Sequence, residues 1–272
     1  MIVTGANTGI GFETARALAS AGARVVLACR NPEAGRDAVR RIVARHPRAD
    51  AKLALLDLAS FASVRAFTDA LAAPRIDALI CNAGLFNTSY RATPGGFEHT
   101  VGVSHLGHFL LTLRLLPRLL AAQGRVVMVS SESHRQPRKL DFDRFPLPEQ
   151  HYSMMVAYGQ AKLCNVLFAN ELQRRYGAEG LTACSLHPGT LVSTEIGRDS
   201  ALARVVMRLV SPFTKSPSQG AATSVFCAVH PDRAALGGRY FSHCQPKPSS
   251  PEANDPAVAS RLWQLSEKWV GI

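Results

Sequence analysis

The 272 residues, 47% hydrophobic and 19% charged, suit one large α/β domain over 1–272, and no run approaches the roughly 18 unbroken apolar residues of a membrane span. A net charge of +11 admits an anionic partner, but the basic residues are spread, with one local run from Arg30 to Arg48. No aromatic-studded strand or zinc spacing lies beside that run, which argues against nucleic acid and leaves peripheral membrane contact and a homo-oligomer open.

The chain opens on "MIVTG", the first of seven short apolar runs that alternate with longer amphipathic stretches. Only Met1, Ile2 and Val3 precede Thr4 and Gly5, so the first strand is expected to be short, as in a chain cut upstream or one of reduced stability. "TGANTGIGFETA" then sets Gly5, Gly9 and Gly11 around Asn7, Thr8 and Ile10, ahead of a helix over 9–21. A glycine turn of this kind either merely closes a βα unit or lets main-chain amides and a helix N-terminus approach a pyrophosphate. The position at the first strand favours the second, although the spacing is GxxxGxG and not GxGxxG.

The second run ends "VVLACR", ahead of a helix over 32–46. An acidic residue there would suit the ribose hydroxyl of NAD, whereas Arg30 suits the 2′-phosphate of NADP, so NADP(H) is expected. "LLDL" places Asp57 and Leu58 at the end of the third run, where an adenine would lie, ahead of a helix over 60–73. "CNAG" ends the fourth with Asn82, Ala83 and Gly84. Singly, each could be ordinary turn chemistry.

One helix is expected over 97–121, carrying Ser104, His105 and His108; with no Cys or acidic partner at ligand spacing, no metal is expected. The fifth run ends "VVMVSSESH", offering Ser131 with Ser130 and Ser133 as neighbours easily confused with it, and His134 beside the expected pocket, either touching substrate or, the reading preferred, a surface histidine. The helix over 154–176 carries Tyr158 and Lys162, which share a face at i and i+4. Alone, such a pair usually marks a helix half in water. The sixth run ends "LTACSLHPG", and "GRYFS" is the seventh; helices over 218–229 and 256–270 flank it. Two long insertions, from Glu132 to Tyr152 and about 190–217, follow strand ends and are expected to wall a site. In the second, Leu202, Val205, Val206 and Leu209 fit either a core helix or a lid for an apolar substrate. The six cysteines form no CxxC pair and the N-terminus does not read as a secretory signal, so a reducing, cytoplasmic setting is expected. Continuous apolar runs alternating with helices predict a Rossmann-type doubly wound parallel sheet of about seven strands, with helices on both faces.

The glycine motif, "NAG", Ser131, the YxxxK of Tyr158 and Lys162, and "HPG" stand in one order over nearly the whole chain. Together they resemble the short-chain dehydrogenase/reductase superfamily. "SSESHR", "LDFDR", "AYGQAKLCNVLFANELQRR" and "SPFTKSPSQGAAT" are similar to the dehydrogenase part of the WW domain-containing oxidoreductases and to retinol dehydrogenase-like members. The resemblance implies hydride transfer between NADP(H) and a small apolar carbonyl or alcohol. Tyr158 would exchange the proton, Ser131 would hold the substrate oxygen, and Lys162 would lower the tyrosine pKa and bind the nicotinamide ribose. Gly5, Asn7, Thr8, Gly9, Ile10, Gly11, Arg30, Asp57, Leu58, Asn82, Ala83 and Gly84 would hold the rest of the cofactor. Pro188, Gly189 and Thr190 would support the nicotinamide, with Ser193, or Thr194 if the loop has shifted, donating to its amide. Relatives carry an asparagine where Ser104 stands, so proton relay toward Lys162 is expected to be impaired. The alternative is a cofactor-binding regulator or scaffold without turnover.

Overall fold

The apolar runs become the strands β1 (Ile2–Thr4), β2 (Val25–Cys29), β3 (Ala51–Leu55), β4 (Ala78–Cys81), β5 (Arg125–Val129), β6 (Thr182–His187) and β7 (Tyr240–Ser242), joined by β8 (Gln245–Lys247). The computed structural model describes residues 1–189 and 216–272. Its helices are α1 (Gly9–Ser20), α2 (Pro32–Arg45), α3 (Phe61–Ala70), α4 (His99–Val101), α5 (Gly107–Ala121), α6 (Met154–Tyr176), α7 (Pro217–Val229) and α8 (Pro256–Val270). The sheet runs β3-β2-β1-β4-β5-β6-β7-β8, and all neighbours pair in parallel except β7 with β8. The strand β8 escaped the sequence reading because Gln245, Pro246 and Lys247 are exposed. A polar edge strand lacks an apolar signature, and an edge tolerates proline.

Successive side chains along a strand point to opposite faces, and the core divides accordingly. Ile2, Leu79, Val126 and Met128 pack against α3, α5, α6 and α8. Val3, Leu27, Ile80, Val127 and Leu186 pack against α1, α2 and α7. This two-sided burial is why the strands read as unbroken apolar runs.

The helix expected over 97–121 is not continuous. Glu98 caps α4 through Thr100 N (2.8 Å) and Val101 N (2.9 Å), Gly102–Leu106 form a π-helical turn, and α5 follows. The widened turn seats Gly107 on the Leu58 main chain, where a Cβ would stand 2.3 Å from the Leu58 oxygen. Between Glu132 and Tyr152, the expected site wall is anchored to the core at a few apolar residues. Leu140, Phe145 and Leu147 are buried, and Phe145 packs on Trp269 of α8 at 5.9 Å between ring centroids. Strand order reverses between β1 and β4, so the crevice at their carboxyl ends is where an open α/β sheet receives a ligand. No described helix is long and apolar enough to cross a membrane.

Candidate active site

At the crevice, Thr4 Oγ1 accepts the amides of Asn82 and Ala83, each at 2.9 Å, and lies 2.8 Å from His108 Nε2. The other ring nitrogen, Nδ1, is 3.1 Å from the Ser104 carbonyl. A carbonyl only accepts, so Nδ1 carries the proton and Nε2 takes the Thr4 hydroxyl's. Burial pushes the His108 pKa down to about 4, in keeping with this neutral form. Asn82 Nδ2 closes the splice on the Thr4 carbonyl at 2.8 Å. The ends of β1, β4 and the π-turn are thereby joined around one hydroxyl.

Beside this splice lies the glycine turn. Gly5 and Gly9 have φ of 62° and 58°, the left-handed region that favours glycine. A Cβ on Gly11 would sit 2.4 Å from both the Gly5 oxygen and Asn82 Nδ2. The turn thus forms a cradle at the start of α1, whose extended N-cap is Thr8, and Asn7 and Thr8 are partly open to solvent there. Ile10 is core.

The second group comes from β5 and α6. Ser130 donates to the Lys162 carbonyl at 2.7 Å and is buried, which separates it from Ser131. Ser131 is the extended N-cap of the 3-10 turn Glu132–Arg135, and its Oγ accepts the Ser133 amide at 3.2 Å. That turn packs on α6 at Gly159, where a Cβ would stand 3.1 Å from the Ser133 oxygen, which sets Ser131 beside Tyr158, whose ring centroid lies 5.6 Å from Lys162 Nζ. Lys162 is buried and donates to the Val129 carbonyl at 3.0 Å, a carbonyl shared with Asn165 Nδ2 at 3.2 Å. Its Nζ stands 3.0 Å from where a Gly84 Cβ would be, and Ser104 Oγ 3.6 Å from the same point. Ser104 Oγ is buried without a hydrogen-bond partner among the described residues. Gly84 therefore keeps open a small space shared by Lys162 and Ser104.

In the chain by itself, burial raises the Tyr158 pKa and the neighbouring Ser131 lowers it; the lowering expected of Lys162 concerns the site with an oxidised nicotinamide bound. Tyr158 is only partly open to solvent, and desolvation of its phenolate outweighs its neighbours. Burial also pushes the Lys162 pKa down to about 8.

Residues 1–141 match the short chain dehydrogenase family. The WW domain-containing oxidoreductase of Danio rerio is 46% identical over 279 residues, covering 99% of this chain and 68% of that protein. The chain belongs to the short-chain dehydrogenases. Human retinol dehydrogenase 12 is 43% identical over 275 residues, covering all of this chain and 86% of its own. Among solved structures, an uncharacterized protein from Mycobacterium Paratuberculosis superposes with TM-score 0.80 at 35% identity over 99% of this chain and 92% of that one. A short chain dehydrogenase of Escherichia coli CFT073 complexed with NADPH gives 0.69 at 25% identity over 89% and 95%.

As in other short-chain dehydrogenases, an oxidoreductase chemistry with a nicotinamide cofactor fits these residues, since the cradle at Gly11 admits no side chain. Arg30 is exposed at the end of β2 and makes no ion pair among the described residues. Asp57 accepts the Ala59 amide at 3.0 Å through Oδ1. The Leu58 side chain is core, so only its main chain can face a ligand. Pro188 and Gly189 follow β6, with Gly189 at φ 119°. Thr190, Ser193, Thr194, Leu202, Val205, Val206 and Leu209 lie outside the described residues. No three His, Cys, Asp or Glu side chains among the described residues gather as metal ligands. His105 pairs with Ser266 at 2.8 Å.

Sequence reasoning missed Thr4, Asn165 and Phe86. Asn165 lies one turn beyond Lys162 on its face, a signal that was there to read. Phe86 meets the Tyr158 ring edge-on, with centroids 5.7 Å apart, and nothing in its spacing announced that. His134, expected at the surface, is fully buried.

Proposed function

We propose that the chain, as one domain over 1–272, interconverts a carbonyl and an alcohol with NADP(H). The observation that carries this reading is Tyr158 beside Ser131 with buried Lys162 Nζ 5.6 Å from its ring centroid. In the reducing direction Tyr158 gives its phenolic proton to the substrate oxygen; burial keeps that proton in place until the oxygen arrives. Ser131, whose lone pair already receives the Ser133 amide, donates its own proton to the same oxygen and stabilises the charge developing there. Lys162, still largely protonated at neutral pH with a pKa of about 8, stabilises the phenolate left behind. In oxidation the same groups act in reverse. The bound nicotinamide supplies or accepts the hydride.

Gly5, Asn7, Thr8, Gly9, Gly11 and the ends of β3 and β4 would hold the dinucleotide, with Arg30 on the 2′-phosphate. The NADPH complex of the E. coli relative supports that choice. Phe86 beside Tyr158, and Met155 exposed by 48% one helical turn before it, favour an apolar substrate, as do the retinol dehydrogenases among the relatives.

The test is NADPH consumption with retinal, steroid ketones and lipid aldehydes, by the parent and by Tyr158→Phe. Substrate-dependent consumption that the substitution abolishes, with NADPH binding retained, supports the reading. Cofactor binding without turnover across the panel overturns it in favour of a regulator or scaffold.

A further inference from the structure

His134 has no exposed surface, yet both its ring nitrogens are satisfied. Nδ1 lies 2.7 Å from the Ser131 carbonyl, and Nε2 receives the Ser250 amide at 3.1 Å from a point 116 residues along the chain. A carbonyl must accept and an amide N–H must donate, so Nδ1 carries the proton and Nε2 the lone pair. Only the neutral Nδ1–H tautomer satisfies both, and burial favours the neutral ring. The ring also faces that of Tyr240 of β7, with centroids 4.7 Å apart. Tyr240 in turn donates to Glu132 at 3.1 Å, and Glu132 is held by Arg135 and Lys247, each at 3.1 Å. The 3-10 turn that Ser131 caps is therefore fastened to the C-terminal part of the chain by a neutral imidazole, an ion-paired carboxylate and Arg135, which donates to the Pro248 carbonyl.

We propose that His134 is a positioning residue for the reaction: it ties the Ser131 main chain to the Ser250 amide and so holds the Ser131 hydroxyl toward Tyr158. This rests on the reading that Ser131 and Tyr158 perform the chemistry. The turn itself does not depend on the imidazole, because the His134 amide also donates to the Ser131 carbonyl at 3.0 Å. Without the ring nitrogens the turn persists and stays held at Glu132 and Arg135, but the Ser131 main chain loses its own link to Ser250, and an error of about 1 Å in a reacting group can lower turnover about a hundredfold.

Two substitutions separate placement from folding. His134→Phe keeps a ring on Tyr240 and removes both bonds; His134→Asn keeps a donor for the Ser131 carbonyl and gives up the reach to Ser250. Expected is a fall in kcat of about tenfold to a hundredfold in the first and a smaller fall in the second, with KM and NADPH affinity unchanged in both. Should His134→Phe fail to fold, His134→Asn still carries the test. An unchanged kcat in a folded variant overturns the proposal, as does a joint loss of kcat, KM, cofactor affinity and melting temperature, which would make His134 merely structural. Ser131→Ala is the companion variant. If it turns over like the parent, the catalytic reading itself is wrong and the proposal falls with it; if it is inactive while both His134 variants match the parent, only the proposal falls.

Discussion

Replacing Lys162 by methionine should abolish turnover and, in the absence of cofactor, stabilise the protein. The lysine is buried, and desolvation alone accounts for its pKa falling from 10.5 to about 8. That depression corresponds to roughly 3 kcal/mol of penalty carried by the folded state at pH 7, where the amine is charged in both folded and unfolded chains. Methionine removes the charge at similar volume. Against this, the Val129 carbonyl loses one of its two side-chain donors but keeps Asn165, a loss of about 1 kcal/mol. The net gain is about 2 kcal/mol, or roughly 3–4 °C in melting temperature for a chain of this size. The sign of the pH dependence follows from the lowered pKa. Between about pH 8 and 10.5 the folded lysine has lost its proton and the unfolded one has not, so the parent gains stability as pH rises and the advantage of the variant shrinks. Chemical denaturation of both proteins without cofactor, at pH 7 and again near pH 10, measures this directly. A variant less stable than the parent at pH 7, or a difference that does not narrow at high pH, would refute the reasoning.

Gly84→Ala should lower kcat about tenfold or more, because the new methyl stands 3.0 Å from Lys162 Nζ and pushes it by a few tenths of an ångström from its place at the Val129 carbonyl; steady-state kinetics within twofold of the parent would contradict this. Ser104→Asn should raise kcat at unchanged NADPH affinity, since a longer amide can bridge the space that the unpartnered Ser104 hydroxyl leaves beside Lys162, and an unchanged kcat would show that nothing is lost with serine. Arg30→Ala should weaken NADPH binding about tenfold to a hundredfold and leave NADH nearly unaffected, the range expected for a hydrogen-bonded charge pair; titration of both cofactors by fluorescence reads the difference, and equal affinities in the parent would sink the NADP assignment.

The sequence by itself determined the doubly wound class, because strands buried on both faces must be apolar at every position, and Val25–Cys29 or Ala78–Cys81 can be read as nothing else once helices alternate with them. It determined the glycine cradle as well, since left-handed φ at Gly5 and Gly9 and zero clearance at Gly11 each demand the residue type that stands there. The pairing of Tyr158 with Lys162 was legible from helical geometry alone. Motif order already pointed to Ser131, but only the tertiary structure gave the physical reason to set Ser130 aside, for both follow the same strand and the difference is which hydroxyl α6 occupies: Ser130 donates to the Lys162 carbonyl. Only the fold broke the helix at Gly102–Leu106, where the main chain of Leu58 lies against Gly107. It likewise buried His134 against Tyr240 and Ser250, residues more than a hundred positions away. Local patterns record what a residue needs from its own turn of helix or face of strand. Which hydroxyl remains available, and whether a histidine or tyrosine is desolvated, depends on partners that the chain brings together only when it folds.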